Sequence, residues 1–495
     1  MSSLSETAHK TKREHPAPSS GKTFFGHPRM LANLFSVEMW ERFSFYGMQV
    51  LMLYYLYWET ERGGLALLSD TSAAGVMGAY GGMVYLMTIV GSIFGDRILG
   101  PERTLFSSAT LIMGGHLALA LLPGASGVIT GLIMVAIGSG GLKANASVLV
   151  GSLYQHEDPR RDGGFTIFYI GINLGALFGP ALTGLTRETY GFHMAFGLAA
   201  AGMAIGLIQY ALTRKNLPES VHQISAPLSP SEKKAYSVAA VVIIAAILAL
   251  VFTGLITPDN LDTWVMSLIA VCALALFYTL LTSKLTTAEE HSRVISFIPM
   301  FFGSVAFWAL FQQQFTVLAI YSESRINWNI MGLQLTPEFM NSINPIFIII
   351  FGAVFTALWT RMGERQPTTP LKFSLALILT GVAFLLFIPQ AGNTEVSFLW
   401  IVLILFICTL GELAISPVGI SLATKLAPQN HRVAMMALYF TSSALGTVLA
   451  GWLGRFYSIE TEVAYFTTLG LITIALGVAL GGMNRWIVHK MAGIR

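Results

Sequence analysis

Long apolar runs separated by short polar segments fill this sequence from about residue 30 to its end. An α-helix needs about 20 apolar residues to cross a bilayer. The pattern predicts fourteen membrane-spanning helices, at roughly 30–57, 72–95, 104–122, 127–154, 163–185, 194–212, 236–256, 263–282, 294–321, 343–361, 371–389, 396–424, 433–456 and 464–488. The fourth and twelfth spans are long, so we expect them to tilt or to protrude into water.

Five charged side chains interrupt these apolar runs. They are Glu38, Glu41 and Arg42 in the first span, Lys143 in the fourth and Glu412 in the twelfth. A charge that faces lipid at mid-bilayer costs roughly 3 kcal/mol on insertion scales. Glu38, Glu41 and Arg42 fall on one helix face, at i, i+3 and i+4. We therefore expect these groups to pair with one another or to line a wet cavity.

Composition supports a polytopic helical membrane protein. Of the 495 residues, 54% are hydrophobic and only 11% are charged, and the mean hydropathy is +0.65. A soluble domain has about 25% charged residues, and barrel strands are much shorter than these runs. The net charge of +3 does not indicate a nucleic-acid partner. Both cysteines, Cys272 and Cys408, lie in apolar runs, so no disulfide framework is expected.

The distribution of Lys and Arg predicts the orientation. With the N-terminus inside, the inner segments hold 23 of the 29 Lys and Arg residues. The other six are Arg42 and Lys143 within spans and Arg62, Arg187, Arg325 and Arg455 in outer segments. Because cytoplasmic loops are enriched in Lys and Arg, we expect both termini in the cytoplasm. The N-terminus lacks the apolar core of a signal peptide, and residues 1–29 are expected to be disordered.

Three motifs lie on the first, fifth and twelfth spans. They read Glu38-x-x-Glu41-Arg42-Phe43-x-Phe45-Tyr46-Gly47, Phe168-Tyr169-x-x-Ile172-Asn173-x-Gly175 and Gly411-Glu412-Leu413-x-x-Ser416-Pro417-x-Gly419. Together they resemble the signature motifs of the proton-coupled oligopeptide transporter family. The resemblance covers about residues 25 to 490.

The resemblance implies the all-α membrane fold of the major facilitator superfamily. Spans seven and eight carry no charged residue, and their removal leaves six plus six helices, the two-half plan of that superfamily. The expected divisions are a disordered N-terminus (1–29), an N-terminal six-helix bundle (30–213), a linker with two extra helices (214–290), a C-terminal six-helix bundle (291–490) and a cytoplasmic tail (491–495).

The charged cluster of the first span suits proton coupling. Glu38 and Glu41 compete for Arg42, and the proton affinity of a buried carboxylate depends on which cation it contacts. The resemblance adds Lys143 to this proton-coupling set, reaching the glutamates across a cavity. A purely structural ion-pair anchor is the alternative for these residues.

The resemblance implies a peptide site of nine residues. They are Arg42, Tyr46, Tyr85, Lys143, Asn173, Gln312, Asn344, Glu412 and Tyr439. Lys143 and Arg42 are expected at the peptide carboxylate, and Glu412 at its ammonium group, with Lys143 as the alternative partner of Glu412. Tyr439 stands where many relatives have a tryptophan. Helix packing is the alternative role for the asparagines and tyrosines.

The expected gate departs from the family pattern. Many relatives have an arginine two residues after Gly47 and an acid in helix 7, where this chain has Gln49 and Gln312. We expect an amide–amide contact between them in place of the salt bridge. Asp96 and Arg97 fit the loop motif between helices 2 and 3, and they are expected to act as a conformational latch. His116 is expected to be packed or bonded to backbone.

The sequence thus favours a proton-coupled symporter that imports di- and tripeptides by alternating access, as a monomer among membrane lipids, driven by the proton gradient without a cofactor. An intramembrane enzyme is disfavoured, because the sequence has no HExxH motif, no metal-ligand spacing and no catalytic cysteine pattern. Two alternatives keep the fold: a transporter of another small organic solute, such as a drug or peptide-like compound, and a non-transporting nutrient sensor.

Overall fold

The computed structural model describes residues 23–155, 158, 160–224, 227–330 and 332–494, apart from the side chains of Asp162 and Glu364. Of the segment 1–29, which the sequence predicts to be disordered, residues 1–22 lie outside the described residues, as does residue 495 of the expected tail. Residues 23–29 are described, and Phe24 and His27 form a β-bridge there.

Sixteen α-helices occupy most of the described chain. They are α1 (Met30–Tyr57), α2 (Asp70–Phe94), α3 (Pro101–Leu121), α4 (Gly124–Ser152), α5 (Arg161–Tyr190), α6 (Phe192–Thr213), α7 (Pro230–Phe252), α8 (Leu261–Thr282), α9 (Ala288–Phe311), α10 (Val317–Arg325), α11 (Met340–Met362), α12 (Thr369–Leu385), α13 (Phe398–Leu426), α14 (Arg432–Leu453), α15 (Glu462–Gly482) and α16 (Asn484–Lys490).

The predicted spans correspond to these helices. Within the described residues, 13 helical stretches are long and apolar enough to cross a membrane. Helix α1, whose apolar run is interrupted by Glu38, Glu41 and Arg42, brings the spans to fourteen. Helices α9 and α10 belong to one stretch, Ala288–Arg325, interrupted by a 3₁₀ turn at Gln312–Phe315 and a non-helical backbone at Thr316. The apolar pattern did not predict this interruption.

Four two-residue strands lie in connecting loops. Strand β1 (Ile326–Asn327) pairs in parallel with β4 (Val396–Ser397), and β2 (Asn329–Ile330) pairs antiparallel with β3 (Leu333–Gln334). These pairs are too short to give a periodic pattern in the sequence.

Local sequence signals set several helix ends. The Ser69 hydroxyl caps α2 by accepting from the Ser72 amide at 3.1 Å. Capping boxes begin α7, with Ser229 and Glu232, and α9, with Thr287 and Glu290. Each cap satisfies backbone N–H groups that a helix end leaves without partners.

The membrane helices form two halves. Helices α1–α6 pack together, as do α9–α15, and the halves meet where α2 contacts α14 and where α5 contacts α11. Helix α8 packs against α2 and α14, whereas α7 buries none of its residues and so presents its apolar surface to lipid. Because the spans are even in number, the two ends of the described chain share one side of the bundle. We call it the terminal side and the opposite one the far side.

Close packing of α1 against α5 positions the charged cluster. Gly171, Gly175 and Gly179 recur at four-residue intervals on one face of α5. A Cβ atom at Gly175 would lie 2.2 Å from the Met39 carbonyl oxygen, and one at Gly179 would lie 2.4 Å from that of Phe43. Only glycine allows this approach, so the spacing determines how deeply α1 is held within its half.

Candidate substrate and proton site

A cavity of about 560 Å³ lies between the two halves. Helices α1, α2, α4 and α5 line it from one half, and α9, α11, α13 and α14 line it from the other, together with the turn after α9. Its lining includes all nine residues that the sequence singled out for peptide binding: Arg42, Tyr46, Tyr85, Lys143, Asn173, Gln312, Asn344, Glu412 and Tyr439. The structure therefore brings these nine residues together around one space.

The charged residues of α1 contact one another. Arg42 Nε donates a hydrogen bond to Glu38 Oε1 at 3.0 Å. The same nitrogen lies 2.7 Å from Glu41 Oε2, an ionic contact without hydrogen-bond alignment. The three side chains are buried, and Glu38 and Arg42 also line the cavity. One guanidinium thus holds two carboxylates, so a change at either glutamate alters the electrostatics of the other.

Glu41 lies behind the cavity wall. Its side chain is fully buried, and the Ser139 hydroxyl donates to its Oε1 at 2.9 Å. Ser139 sits on α4 within the glycine-rich stretch Gly138-Ser139-Gly140-Gly141. A Cβ at Gly140 would lie 2.4 Å from Met87, so these glycines let α4 pack close to α2. This packing links Glu41 to the helix that carries Lys143.

Lys143 faces the cavity without an ion pair. Its Nζ lies 4.3 Å from the centre of the Tyr85 ring, a cation–π contact. No described carboxylate lies within 4.0 Å of it, so the expected direct contact with Glu38 or Glu41 is not formed here. The charge of Lys143 remains available to an anion in the cavity.

Glu412 has a neutral partner. Asn344 Nδ2 donates to its Oε2 at 2.9 Å and to the Thr409 hydroxyl at 2.9 Å. The alternative partner, Lys143, is not paired with Glu412 here, because no cationic side chain of the described residues lies within 4.0 Å of its carboxylate. A hydrogen bond from an amide leaves the charge of a buried carboxylate uncompensated.

The other predicted cavity residues differ in how free their polar atoms are. Asn173 Nδ2 donates a hydrogen bond to the Tyr169 carbonyl oxygen in its own helix at 2.9 Å. One of the two N–H donors of the Asn173 amide is therefore already used. The Tyr46 ring stacks on Phe315 across the two halves, with centroids 5.8 Å apart. Tyr439 packs against Gly419, where an added Cβ would lie 2.5 Å from the tyrosine oxygen. The aromatic rings of Tyr46 and Tyr439 thus form part of the cavity wall.

The expected gating residues fall in two places. Gln49 and Gln312 both line the cavity, but no hydrogen bond joins them, and Gln49 Oε1 has no partner among the described residues. The amide–amide contact expected between them therefore does not take the form of a hydrogen bond in this state. Asp96 is exposed on the terminal side, and Arg97 pairs with Glu232 of α7 at 2.9 Å. That ion pair ties the loop motif to the inserted helices.

Ion pairs between the halves close the far side. Arg187 of α5 binds Glu338 of the other half through two hydrogen bonds, of 2.8 and 3.1 Å, and both side chains are buried. Arg62 contacts Glu323 at 2.6 Å, also across the halves. A bidentate arginine–carboxylate pair is among the stronger polar contacts, so this end of the cavity is sealed.

Sequence reasoning missed the Arg187–Glu338 pair. The available signal was the scarcity of cations in the predicted outer segments. Each of those four arginines forms an ion pair, with partners Glu323, Glu338, Glu462 and Asp262. A rare charge on a predicted outer loop was therefore a clue to a pairing partner.

The cavity opens toward the terminal side. Tyr169 and Ile420 lie on the terminal halves of α5 and α13, line the cavity and are 45% and 44% exposed. The structure thus represents a state that is closed on the far side and open on the terminal side.

His116 lies outside this site. It is fully buried on α3, and neither ring nitrogen has a hydrogen-bond partner among the described residues. The expectation of a packed histidine is met, but the alternative of a backbone bond is not.

Two six-helix halves around a closed-ended, charged cavity define a secondary membrane transporter. The profile described as "PTR2: POT family" matches residues 102–472. The chain therefore belongs to the POT family, as its motifs indicated, and the expectation that it is a transporter rather than an enzyme follows from that membership.

Three relatives illustrate the match. The chain is 41% identical to the uncharacterized transporter YclF of Bacillus subtilis (strain 168), over 96% of this chain and 97% of that protein. It is 35% identical to a di-/tripeptide transporter of Lactococcus lactis subsp. cremoris, over 96% and 98% of the two chains. A crystal structure of a mutant peptide transporter POT in complex with alafosfalin superimposes with a TM-score of 0.90, at 41% identity over 95% and 97%. The expected major facilitator architecture is confirmed.

Proposed function

We propose that this protein imports di- and tripeptides together with protons by alternating access. The observation that carries the proposal is the placement of opposite uncompensated charges on the two halves, with Lys143 on one and Glu412 on the other. A zwitterionic peptide bound between them would present its carboxylate to Lys143 and its ammonium group to Glu412. Such a ligand would draw the two halves toward each other.

The size and lining of the cavity favour a short peptide. Small-molecule pockets range from about 300 to 1,000 Å³, and this one is about 560 Å³. Asn344 and Asn173 can hydrogen-bond peptide groups, while the aromatic walls accept varied side chains. Relatives named as di-/tripeptide transporters support this cargo.

Proton coupling follows from the shared guanidinium of α1. Arg42 contacts both Glu38 and Glu41, and it also lines the cavity. If a peptide carboxylate engages Arg42, its hold on the glutamates weakens and one carboxylate is better stabilised by a proton. Protonation of Glu38 or Glu41 then biases which side is open. The inward proton gradient supplies the free energy, so no cofactor is needed.

The proposal also assigns orientation and moving parts. The terminal side, which is rich in Lys and Arg, is the cytoplasmic side of a bacterial plasma membrane, so the present state is inward-open. The bundles 30–213 and 291–490 move against each other, and 214–290 carries the inserted pair. The protein works as a monomer, because each chain has its own complete cavity.

Uptake into proteoliposomes tests the proposal. Labelled dialanine uptake is measured with and without an inward proton gradient, for the wild type, for Glu41→Gln and for Glu289→Gln. The last is a control, since Glu289 is an exposed residue paired with Arg293 at the surface. We expect Glu41→Gln to lose gradient-driven accumulation but to keep peptide exchange, and the control to match the wild type. Absence of dialanine flux under every gradient would contradict peptide transport and favour another solute or a sensor.

A further inference from the structure

The far end of the cavity is lined by side-chain amides. Gln49 comes from α1, Gln312 and Gln314 from the turn after α9, and Asn341 from the start of α11. We call these four residues the amide layer. Trp308 of α9 also lines the cavity.

The amide layer lies beyond the charged groups. Gln49 follows Arg42 by two helical turns, or about 10 Å toward the far side, and Asn341 precedes Asn344 by about one turn in a helix that starts on the far side. The charged residues of the described lining are Glu38, Arg42, Lys143 and Glu412, and none belongs to this layer. The charged side chains therefore line one level of the cavity. The neutral amides line a second level, which lies nearer the far side and which we call the neutral level.

Several polar atoms of the neutral level have no partner. Gln49 Oε1, both amide atoms of Asn341 and the Trp308 indole nitrogen make no hydrogen bond among the described residues. These three side chains are 5%, 5% and 8% exposed. Most buried polar groups in proteins are paired, and an unpaired one is costly. Because all three side chains line the same cavity, its buried wall includes unpaired acceptors and donors.

We propose that the amide layer is a subsite for one peptide side chain and that it favours neutral hydrogen-bonding side chains, those of Asn, Gln, Ser and Thr. This inference rests on the proposed function. A neutral amide or hydroxyl satisfies the unpaired donors and acceptors. A carboxylate or ammonium side chain enters a buried level that has no counter-charge, and an aliphatic side chain leaves the polar atoms unpaired.

Competition against labelled dialanine uptake tests the subsite. The competitors are alanyl-glutamine, alanyl-glutamate, alanyl-lysine and alanyl-leucine, together with the four peptides of reversed order. Glutamine and glutamate are nearly identical in shape, so they separate charge from size. Only one of the two residue orders places the variable side chain in the amide layer. For that order, we expect the inhibition constant of the glutamine peptide to be about fivefold to tenfold lower than those of the glutamate, lysine and leucine peptides.

Variants connect this preference to the layer. For Asn341→Leu and Gln314→Leu, the ratio of inhibition constants for the leucine and glutamine peptides is compared with that of the wild type. A ratio within one variant cancels any general loss of uptake. We expect it to fall toward one in both variants, and Gln312→Glu to improve inhibition by the lysine peptide severalfold.

The outcomes distinguish failure of the subsite from failure of the proposed function. Equal inhibition by all four side chains in both orders, with dialanine uptake intact, overturns the subsite and leaves peptide transport standing. The same holds for a glutamine preference that no variant changes. If dialanine is not transported at all, the proposed function fails and this inference falls with it.

Discussion

The two sets of charges at the cavity are stabilised in different ways. On α1, Arg42 contacts both Glu38 and Glu41, so this cluster largely compensates itself. Across the cavity, Glu412 receives only a hydrogen bond from Asn344, and Lys143 rests on an aromatic ring. The first set is stable without a ligand, whereas the second gains when a ligand brings opposite charges.

The difference suggests a division of labour. A self-compensating cluster can change its protonation while the fold stays intact, because the guanidinium remains as a counter-charge for whichever carboxylate is ionised. Two separated, uncompensated charges instead bind a molecule that spans them and carries the opposite charge at each end. In this state Glu412 and Lys143 form no ion pair with each other, so both charges are open to such a molecule.

Removal of the shared guanidinium is expected to have the largest effect. Arg42→Ala leaves two buried carboxylates without their cation, which typically costs about 3–5 kcal/mol. We expect a clear drop in the melting temperature of the purified protein and loss of gradient-driven uptake. Arg42→Lys is the matched control, since it keeps a positive charge without the planar guanidinium, and it should recover part of the stability. If Arg42→Ala melts like the wild type, the cluster does not compensate itself as argued.

Neutralising Glu412 is expected to change binding much more than folding. In Glu412→Gln the side chain can still accept from Asn344, so the melting temperature should stay close to that of the wild type. Loss of the carboxylate should weaken binding of dialanine by at least about tenfold, because a charge-assisted hydrogen bond contributes about 1.5–3 kcal/mol. Isothermal titration with dialanine and with N-acetyl-dialanine measures this difference.

The acetylated peptide serves as the control because it has no ammonium group. It should bind the wild type and Glu412→Gln with similar affinity. An equal loss for both peptides would mean that Glu412 acts on the shape of the cavity and not on the peptide amine.

Much of this arrangement could be predicted from the sequence. The length of the apolar runs determines the spans, since the bilayer sets how many residues a helix needs. The periodicity of the helix places Glu38, Glu41 and Arg42 on one face, and the resemblance selected the residues that line the cavity. These inferences depend on one helix at a time or on motifs read as units, so they need no knowledge of how helices pack.

The partners of those residues could not be predicted in the same way. Glu412 is bonded to Asn344 of α11 and is not paired with Lys143 of α4, and a sequence does not specify how these separate helices pack. The pair of Arg187 and Glu338 joins residues far apart in the chain. Gln49 and Gln312 were expected to contact each other because both depart from the family pattern, and the structure places both on the cavity without a hydrogen bond between them.

The aromatic contact of Lys143 offers a smaller test of the uncompensated set. Tyr85→Phe keeps a ring below the ammonium group, whereas Tyr85→Leu removes it. Since a cation–π contact contributes about 0.5–2 kcal/mol, we expect dialanine affinity to fall about fivefold in Tyr85→Leu. Tyr85→Phe should remain within about twofold of the wild type. A comparable loss in both variants would assign the effect to the hydroxyl and not to the ring.

The smallest expected effect concerns the hydrogen bond that supports the compensated cluster from α4. Ser139→Ala removes the donor to Glu41 Oε1 while leaving Arg42 in place. Because Arg42 still compensates the carboxylate, the loss should be near 1 kcal/mol, the usual contribution of one hydrogen bond. We expect a slight decrease in melting temperature and gradient-driven dialanine uptake reduced by no more than about fivefold. A loss of uptake as complete as that of Arg42→Ala would show that the cluster depends on α4 as much as on its own guanidinium. In that case the contrast between the two sets of charges would no longer hold.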